Sequence, residues 1–300
     1  MNIDKLLPGV QKNILLKNYT TFRIGGLAKY FFVAKTKKEL IKAIQTAKEL
    51  KVPFFVLGGG SNVLFSEKGF NGLIIKVKTS SFAFRASEDK QNSKIIEADS
   101  GVLLGQVVNL ATENNLSGLE WAIGIPGTVG GAIRGNAGAF GKSMKNIVKN
   151  VEVLDTKNFR TKKIINKQCK FNYRNSIFKK KPNLIILSAE LQFKKSDQKK
   201  IENKIRKHSD YRKEHQPLNF PSAGSIFKNP VNLSAGELIE KCGLKGKKIG
   251  NVKISEKHAN FIVNLEDGKA KDVMKLIKLA KKSVKRKFKI NLEEEIQIIF

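Results

Sequence analysis

An α+β fold is predicted for this 300-residue chain by three features of the sequence. A strand–helix–strand passage ends in a glycine loop at 58–62, a second and longer glycine-rich stretch covers 121–141, and a separate α/β segment after residue 194 closes with a long amphipathic helix.

The first passage opens with the run Tyr30–Ala34, whose aromatic and β-branched residues read as a strand. Thr36-Lys37-Lys38-Glu39 has capping-box spacing and opens a helix in which Leu40, Ile44, Ala47 and Leu50 recur on one face. Pro53–Leu57 is a buried-type strand that runs into Gly58-Gly59-Gly60-Ser61-Asn62. Leu73–Val77 and Ile95–Ala98 read as further strands. Ser100 is the expected N-cap of a helix to about Asn114, with Leu103, Val107 and Leu110 inward. Between 121 and 141, glycines at 124, 127, 130, 131, 135, 138 and 141 are too dense for a regular element, so the stretch reads as loop.

Val148–Leu154, Lys163–Ile165 and Leu184–Phe193 read as strands, and the polar run Lys194–Lys200 as a domain boundary. Beyond it the pattern predicts a helix over 197–213, a second capping box at Ser234–Glu237, a strand at Phe261–Val263 and a helix over 269–288. In the last helix Val273, Ile277, Ala280, Val284 and Phe288 form the buried stripe, opposite Lys271, Lys275, Lys278, Lys282 and Lys285.

The charge balance, 57 Lys and Arg against 26 Asp and Glu for a net +31, points to an anionic partner. Only 8 of the basic residues are Arg, however, and no nucleic-acid reader motif is recognisable. A lysine-dominated excess is weak support for a nucleic-acid reader, which exploits the bidentate guanidinium and stacking rings. Most of the excess reads as solvated surface, so neither nucleic acid nor membrane is expected as a partner. Met1–Val10 lacks an apolar signal core, and no uninterrupted apolar run approaches the roughly 18 residues of a membrane span. Cys169 and Cys242 are far apart and His208, His215 and His258 form no cluster, so no metal is expected.

A strand that delivers three glycines followed by Ser and Asn presents backbone N–H groups without side-chain obstruction, which suits a diphosphate. Neither loop has the GxxxxGK[ST] or GxGxxG pattern; Gly124, Gly127 and Gly130 follow GxxGxxG spacing instead.

These loops carry a resemblance. Asn18–Gly26 (NYTTFRIGG), Leu57–Leu64 (LGGGSNVL) and Gly124–Gly141 resemble the flavin-binding domain of the vanillyl-alcohol-oxidase/PCMH type. Together with FNYRNSIFK (171–179), PSAGSIFKNP (221–230), KISEKHANFIVN (253–264) and LEEEIQIIF (292–300), the chain resembles the UDP-N-acetylenolpyruvoylglucosamine reductases along nearly its whole length.

The resemblance implies a PCMH-type FAD-binding domain of two α+β subdomains, 1–78 (to which strand 295–300 returns) and 79–194, followed by an α/β substrate-binding domain over 195–294. It implies bound FAD, NADPH as hydride donor, UDP-N-acetylglucosamine enolpyruvate as substrate, and a monomeric, cytoplasmic bacterial enzyme of peptidoglycan precursor synthesis. Gly58, Gly59, Gly60, Ser61 and Asn62 would hold one side of the FAD diphosphate. Ile125, Pro126, Gly127, Gly130 and Gly131 would hold the other, with Asn136, Ala137 and Gly138 near the flavin. Arg174 would pair with the substrate carboxylate, Ser225 would be the proton donor and Glu295 the second-site acid. Tyr173, Lys228 and Asn229 would contact substrate.

In a strand Glu293 and Glu295 share a face, so alternation alone leaves both as candidates. His258 reads as a structural hydrogen-bonding residue. Phe140 stands where the family commonly has Tyr, and Gln297 where an Arg usually follows. The short passage from Arg174 to Leu191 matches the subclass that lacks the Tyr-bearing closing loop. The competing readings are another flavin oxidoreductase of the same fold and a basic protein for nucleic acids or anionic surfaces.

Overall fold

The computed structural model describes residues 3–86 and 93–300. The chain divides into two compact units. The first comprises residues 1–10, 32–59 and 75–211, and the second 11–31, 60–74 and 212–300. Helices and strands are mixed throughout, as an α+β chain requires.

In the first unit a sheet has the order 160–165, 148–155, 184–195, 93–99, 82–86, with antiparallel neighbours along its length. The long central strand Leu184–Lys195 is mostly buried up to Phe193 and exposed at its last two residues, and pairs Val151↔Ala189 and Ala98↔Ala189 fix its register on both sides. The helices Leu104–Glu113 and Val129–Gly135 contribute Leu104, Val107, Val108, Ala132 and Ile133 to the core, around the fully buried Trp121 and Phe193. Helix Lys37–Glu49 starts at the expected cap: the Thr36 hydroxyl accepts from Glu39 N at 3.1 Å. The Glu39 carboxylate accepts from Lys35 N at 2.6 Å, one residue before the cap itself.

The second unit holds a sheet of order 222–225, 261–264, 252–254, 248–249, all antiparallel. It packs with the helices Ala235–Lys241 and Ala270–Phe288 around Val252, Ile262, Leu276 and Ile277. Val273, Ile277, Ala280 and Val284 are buried and Phe288 is half-buried, while Lys271, Lys275, Lys278, Lys282 and Lys285 are exposed, as the heptad-like pattern predicts. The C-terminal strand Gln297–Ile299 lies parallel to Val63–Phe65. Strands 27–34 and 70–77 carry the chain across the division between the units.

Three local expectations change. Ser100 does not cap the following helix, which begins at Leu104. Leu103, expected inward, is exposed at the cap, its backbone N is satisfied by Gln106 Oε1 at 3.1 Å, and the Ser100 backbone bonds to Leu187 and Gly130. The glycine-rich stretch contains a helix, Val129–Gly135, because Thr128 caps it by accepting from Gly131 N at 3.4 Å and Val129, Ala132 and Ile133 bury an apolar face. Core burial overrides the entropic cost of three helical glycines. The last strand starts at Gln297, so Glu293 and Glu295 are not related by strand alternation.

Candidate active site

The strand Phe54–Leu57 delivers the first glycine loop. In the first unit Gly58 and Gly59 meet the second loop at backbone distance. A Cβ on Gly59 would lie 2.5 Å from Gly127 Cα, and one on Gly58 would lie 2.6 Å from Thr128 Oγ1. Only glycine permits that approach, and it leaves a surface of peptide groups with no side chains over it, which fits a diphosphate. The Lys76 ammonium donates to the Gly58 carbonyl from the neighbouring strand. Burial, reinforced by Lys78, lowers its pKa to about 8.

Ile125 and Ala137 pack onto the core of this unit, while Pro126 is exposed. The Gly127 carbonyl accepts from Leu104 N at 3.0 Å, and Gly130 N donates to Ser100 O at 2.9 Å. Gly131 lies over the Thr128 cap and Gly138 against the Lys142 carbonyl. The buried Asn136, left-handed at φ 45°, ends helix Val129–Gly135. It joins two predicted elements of the site. Its Nδ2 donates to Asn172 O at 2.8 Å, beside Tyr173 and Arg174, and its Oδ1 accepts from Lys145 N at 3.0 Å.

Asn172 and Asn175 exchange backbone bonds of 3.0 Å around that turn, with Arg174 left-handed at φ 50° and its guanidinium 5.3 Å from the Tyr173 ring centre. Tyr173 is half exposed. The turn is thus pinned on both sides of an arginine that the sequence singles out. Phe140 stacks on His208 at 4.0 Å and meets the edge of Tyr211 at 5.4 Å.

In the second unit Gly60, Ser61 and Asn62 continue the first loop. The Asn62 side chain donates to the Glu295 carbonyl at 3.2 Å, and its own carbonyl accepts from Gln297 N at 3.0 Å. Glu295 N in turn donates to Ile226 O at 2.8 Å, the residue after Ser225. The structure therefore ties Asn62 to Glu295, and Glu295 to Ile226, the neighbour of Ser225.

The three glutamates separate by their partners. Glu293 accepts from the Lys228 ammonium, and Glu294 Oε1 from Lys281 Nζ at 2.7 Å. Lys228, expected to contact substrate, makes this ion pair, and the Asn229 Oδ1 accepts from Ala235 N at 3.0 Å.

Sequence reasoning did not single out Thr21, Lys76 or Asn264. Asn264 closes an apolar strand and is 3% exposed, and its Nδ2 donates to the Phe22 and Arg23 carbonyls at 3.0 and 3.3 Å. A buried amide after Phe-Ile-Val, or a lysine inside Leu73–Val77, is a signal in itself, since buried polar groups must find partners. His258 behaves as structure: its Nδ1 accepts from Asn260 N at 3.2 Å, its ring packs on Phe261, and burial lowers its pKa. Among the described residues no cluster of His, Cys, Asp or Glu could hold a metal, and no helix is long and apolar enough to cross a membrane.

Comparison with known proteins supplies the family. Residues 28–158 match an FAD-binding domain, and residues 216–299 match the C-terminal domain of UDP-N-acetylenolpyruvoylglucosamine reductase. The reductase of Caldicellulosiruptor bescii is 47% identical over 95% of this chain and 88% of its own length. That of Caldanaerobacter subterraneus subsp. tengcongensis is 43% identical over 95% and 91%. The crystal structure of the Thermus caldophilus reductase superposes with a TM-score of 0.81 at 33% identity, covering 97% of this chain and 99% of that one. With matched domains over both glycine loops and over the segment that carries Ser225 and Glu295, the chain belongs to the UDP-N-acetylenolpyruvoylglucosamine reductase family.

Proposed function

We propose that this chain reduces UDP-N-acetylglucosamine enolpyruvate to UDP-N-acetylmuramate in peptidoglycan precursor synthesis, with FAD as bound cofactor and NADPH as reductant. The reading includes a cytoplasmic, monomeric enzyme. The observation that carries it is the convergence of the Ser225 strand, the Glu295 segment and Asn62 of the first glycine loop through hydrogen bonds of 2.8 and 3.2 Å.

Bound FAD would supply the hydride-transfer chemistry that couples NADPH oxidation to reduction of the enolpyruvyl double bond. The peptide surfaces of Gly58–Asn62 and Ile125–Gly131 would hold the FAD diphosphate, with Asn136, Ala137 and Gly138 near the flavin. The Arg174 guanidinium pairs with the substrate carboxylate, where negative charge grows as the double bond is reduced. A permanent planar cation suits that task because it neither titrates nor needs reorientation. The Ser225 hydroxyl donates the proton that completes the saturated product. Glu295 is the second-site acid that steadies the enolate-like charge. The backbone bond from Glu295 N to Ile226 O, the residue after Ser225, supports Glu295 as the acid. Tyr173 borders the substrate side.

Without oxygen, purified protein loaded with FAD should oxidise NADPH beyond the one equivalent that reduces its flavin only when the enolpyruvyl sugar nucleotide is present, and then in equal molar amounts with it. Ser225→Ala should still allow NADPH to reduce the flavin yet block its reoxidation by substrate. NADPH oxidation that ignores the substrate refutes the proposed reaction, and loss of both halves in the alanine variant refutes the serine's role.

A further inference from the structure

Thr21 lies in the segment Tyr19–Gly26, to which neither the glycine loops nor the reacting groups belong. Its peptide N donates to the Gly60 carbonyl at 3.1 Å, and its hydroxyl donates to the Ser222 carbonyl at 2.7 Å. Gly60 is left-handed at φ 69°, and a Cβ there would fall 2.1 Å from the Tyr19 carbonyl, so the loop is seated directly on this segment. Ser222 is the first residue of the strand that ends in Ser225.

That strand is irregular. Ser222 pairs with Val263 and Ser225 with Phe261, so an extra residue is accommodated between them, with Gly224 at φ 74°. A bulge re-aims the side chain that follows it, here Ser225, and the direction depends on where the strand is anchored before the bulge. Thr21 supplies that anchor.

Its own position is fixed independently. Phe22 is fully buried, Asn264 holds the Phe22 and Arg23 carbonyls, and the Thr20 hydroxyl donates to Ile24 O at 3.3 Å. The segment is a rigid post with one hydroxyl turned to the serine strand and one amide turned to the glycine loop.

We propose that Thr21 is a positioning residue for the proton transfer, setting the Ser225 strand against the first glycine loop through its hydroxyl bond to Ser222. The proposal rests on the reductase reading above and concerns only the second half-reaction. Reduction of the flavin by NADPH does not use Ser225, so it is insensitive to the bond, as is the affinity for FAD, which involves the backbone amide that any residue at 21 retains.

The test is anaerobic stopped-flow on the FAD-loaded full chain, as wild type, Thr21→Val and Thr21→Ser, with FAD affinity of each apoprotein measured by flavin fluorescence. Valine keeps the β-branched shape and removes only the hydroxyl. The expected result is reoxidation by the enolpyruvyl nucleotide slowed roughly three- to tenfold in the valine variant, as for one lost neutral hydrogen bond. Reduction by NADPH and the FAD Kd should stay within about twofold, and serine should restore reoxidation. Equal slowing of both halves, unaltered reoxidation in valine, weaker FAD binding in step with the slowing, or failure of serine to rescue would overturn the proposal. A wild type that NADPH reduces but the nucleotide does not reoxidise would overturn the reductase reading and the proposal with it.

Discussion

The side chain of Asn260 and the peptide of Phe227 exchange two hydrogen bonds: Phe227 N donates to Asn260 Oδ1 at 2.9 Å, and Asn260 Nδ2 donates to Phe227 O at 2.8 Å. Both residues are buried, and Ile226 N also donates to the Asn260 carbonyl at 2.8 Å. The amide acts as a piece of backbone, completing pairing for the segment that links Ser225 to Glu295. Removing it strands a buried donor and acceptor together. Asn260→Ala should therefore cost about 2–6 kcal/mol, at the rate of roughly 1–3 kcal/mol per unsatisfied group, read as a lower urea midpoint with unchanged slope. A loss under about 1 kcal/mol would show that the segment re-pairs without it.

Two glycines give a paired prediction. Gly59→Ala places a methyl 2.5 Å from Gly127 Cα, where only backbone can move, so the two loops must part. Thermal stability and FAD affinity should fall together. Gly105→Ala meets nothing within 4 Å inside the helix Leu104–Glu113 and should stabilise the protein by about 0.5–1 kcal/mol through helix propensity. Calorimetry of both variants with and without FAD checks the pair.

Lys76 makes stability depend on pH with a defined sign. Burial holds its pKa at about 8 in the folded chain, below the ordinary 10.5, so the folded state releases this proton more readily than the unfolded one. Below pH 8 the charged amine opposes folding by the full amount. The opposition fades as pH rises from about 8 to 10.5 and is gone above it. Wild type minus Lys76→Met stability, from urea unfolding at a series of pH values, should therefore increase across that window. A flat difference would mean that the bond to the Gly58 carbonyl compensates the charge completely.

The adjacent glutamates should behave unequally. Glu293→Gln and Glu294→Gln each break an exposed or half-exposed ion pair and should leave kcat within about threefold, since such pairs contribute roughly 0–1 kcal/mol. Glu295→Gln should lower kcat by about a hundredfold or more, the usual reach of a positioned acid. Steady-state kinetics of the three variants decides it, and equal losses across them would remove the distinction.

How much of this was legible in the sequence depends on whether the signal was local. The helix Ala270–Phe288 was, because its apolar period and lysine face are determined within 19 residues, and so was the Thr36 cap, a three-residue contact. Ser100 looks like a cap by type, but its backbone is taken by Leu187 and Gly130, partners 87 and 30 residues away, so the helix starts later. The helix Val129–Gly135 hides among glycines because its stability comes from burying Val129, Ala132 and Ile133 in a core assembled from distant strands. Family motifs named Ser225 and Glu295, whereas their connection through Ile226 and Asn62 is a property of chain pairing that no spacing encodes. The motif Asn18–Gly26 includes Thr21, but its contacts were hidden for the same reason, with Gly60 39 residues away and Ser222 201.

The most direct test of the central claim is a single turnover. The FAD-loaded chain is reduced without oxygen by one equivalent of NADPH, and one equivalent of UDP-N-acetylglucosamine enolpyruvate is then added. A reductase returns the oxidised flavin spectrum at once and yields the nucleotide as its lactyl ether, two hydrogens heavier. A flavin that stays reduced, or that reoxidises with the enolpyruvyl nucleotide recovered unchanged, would contradict that claim.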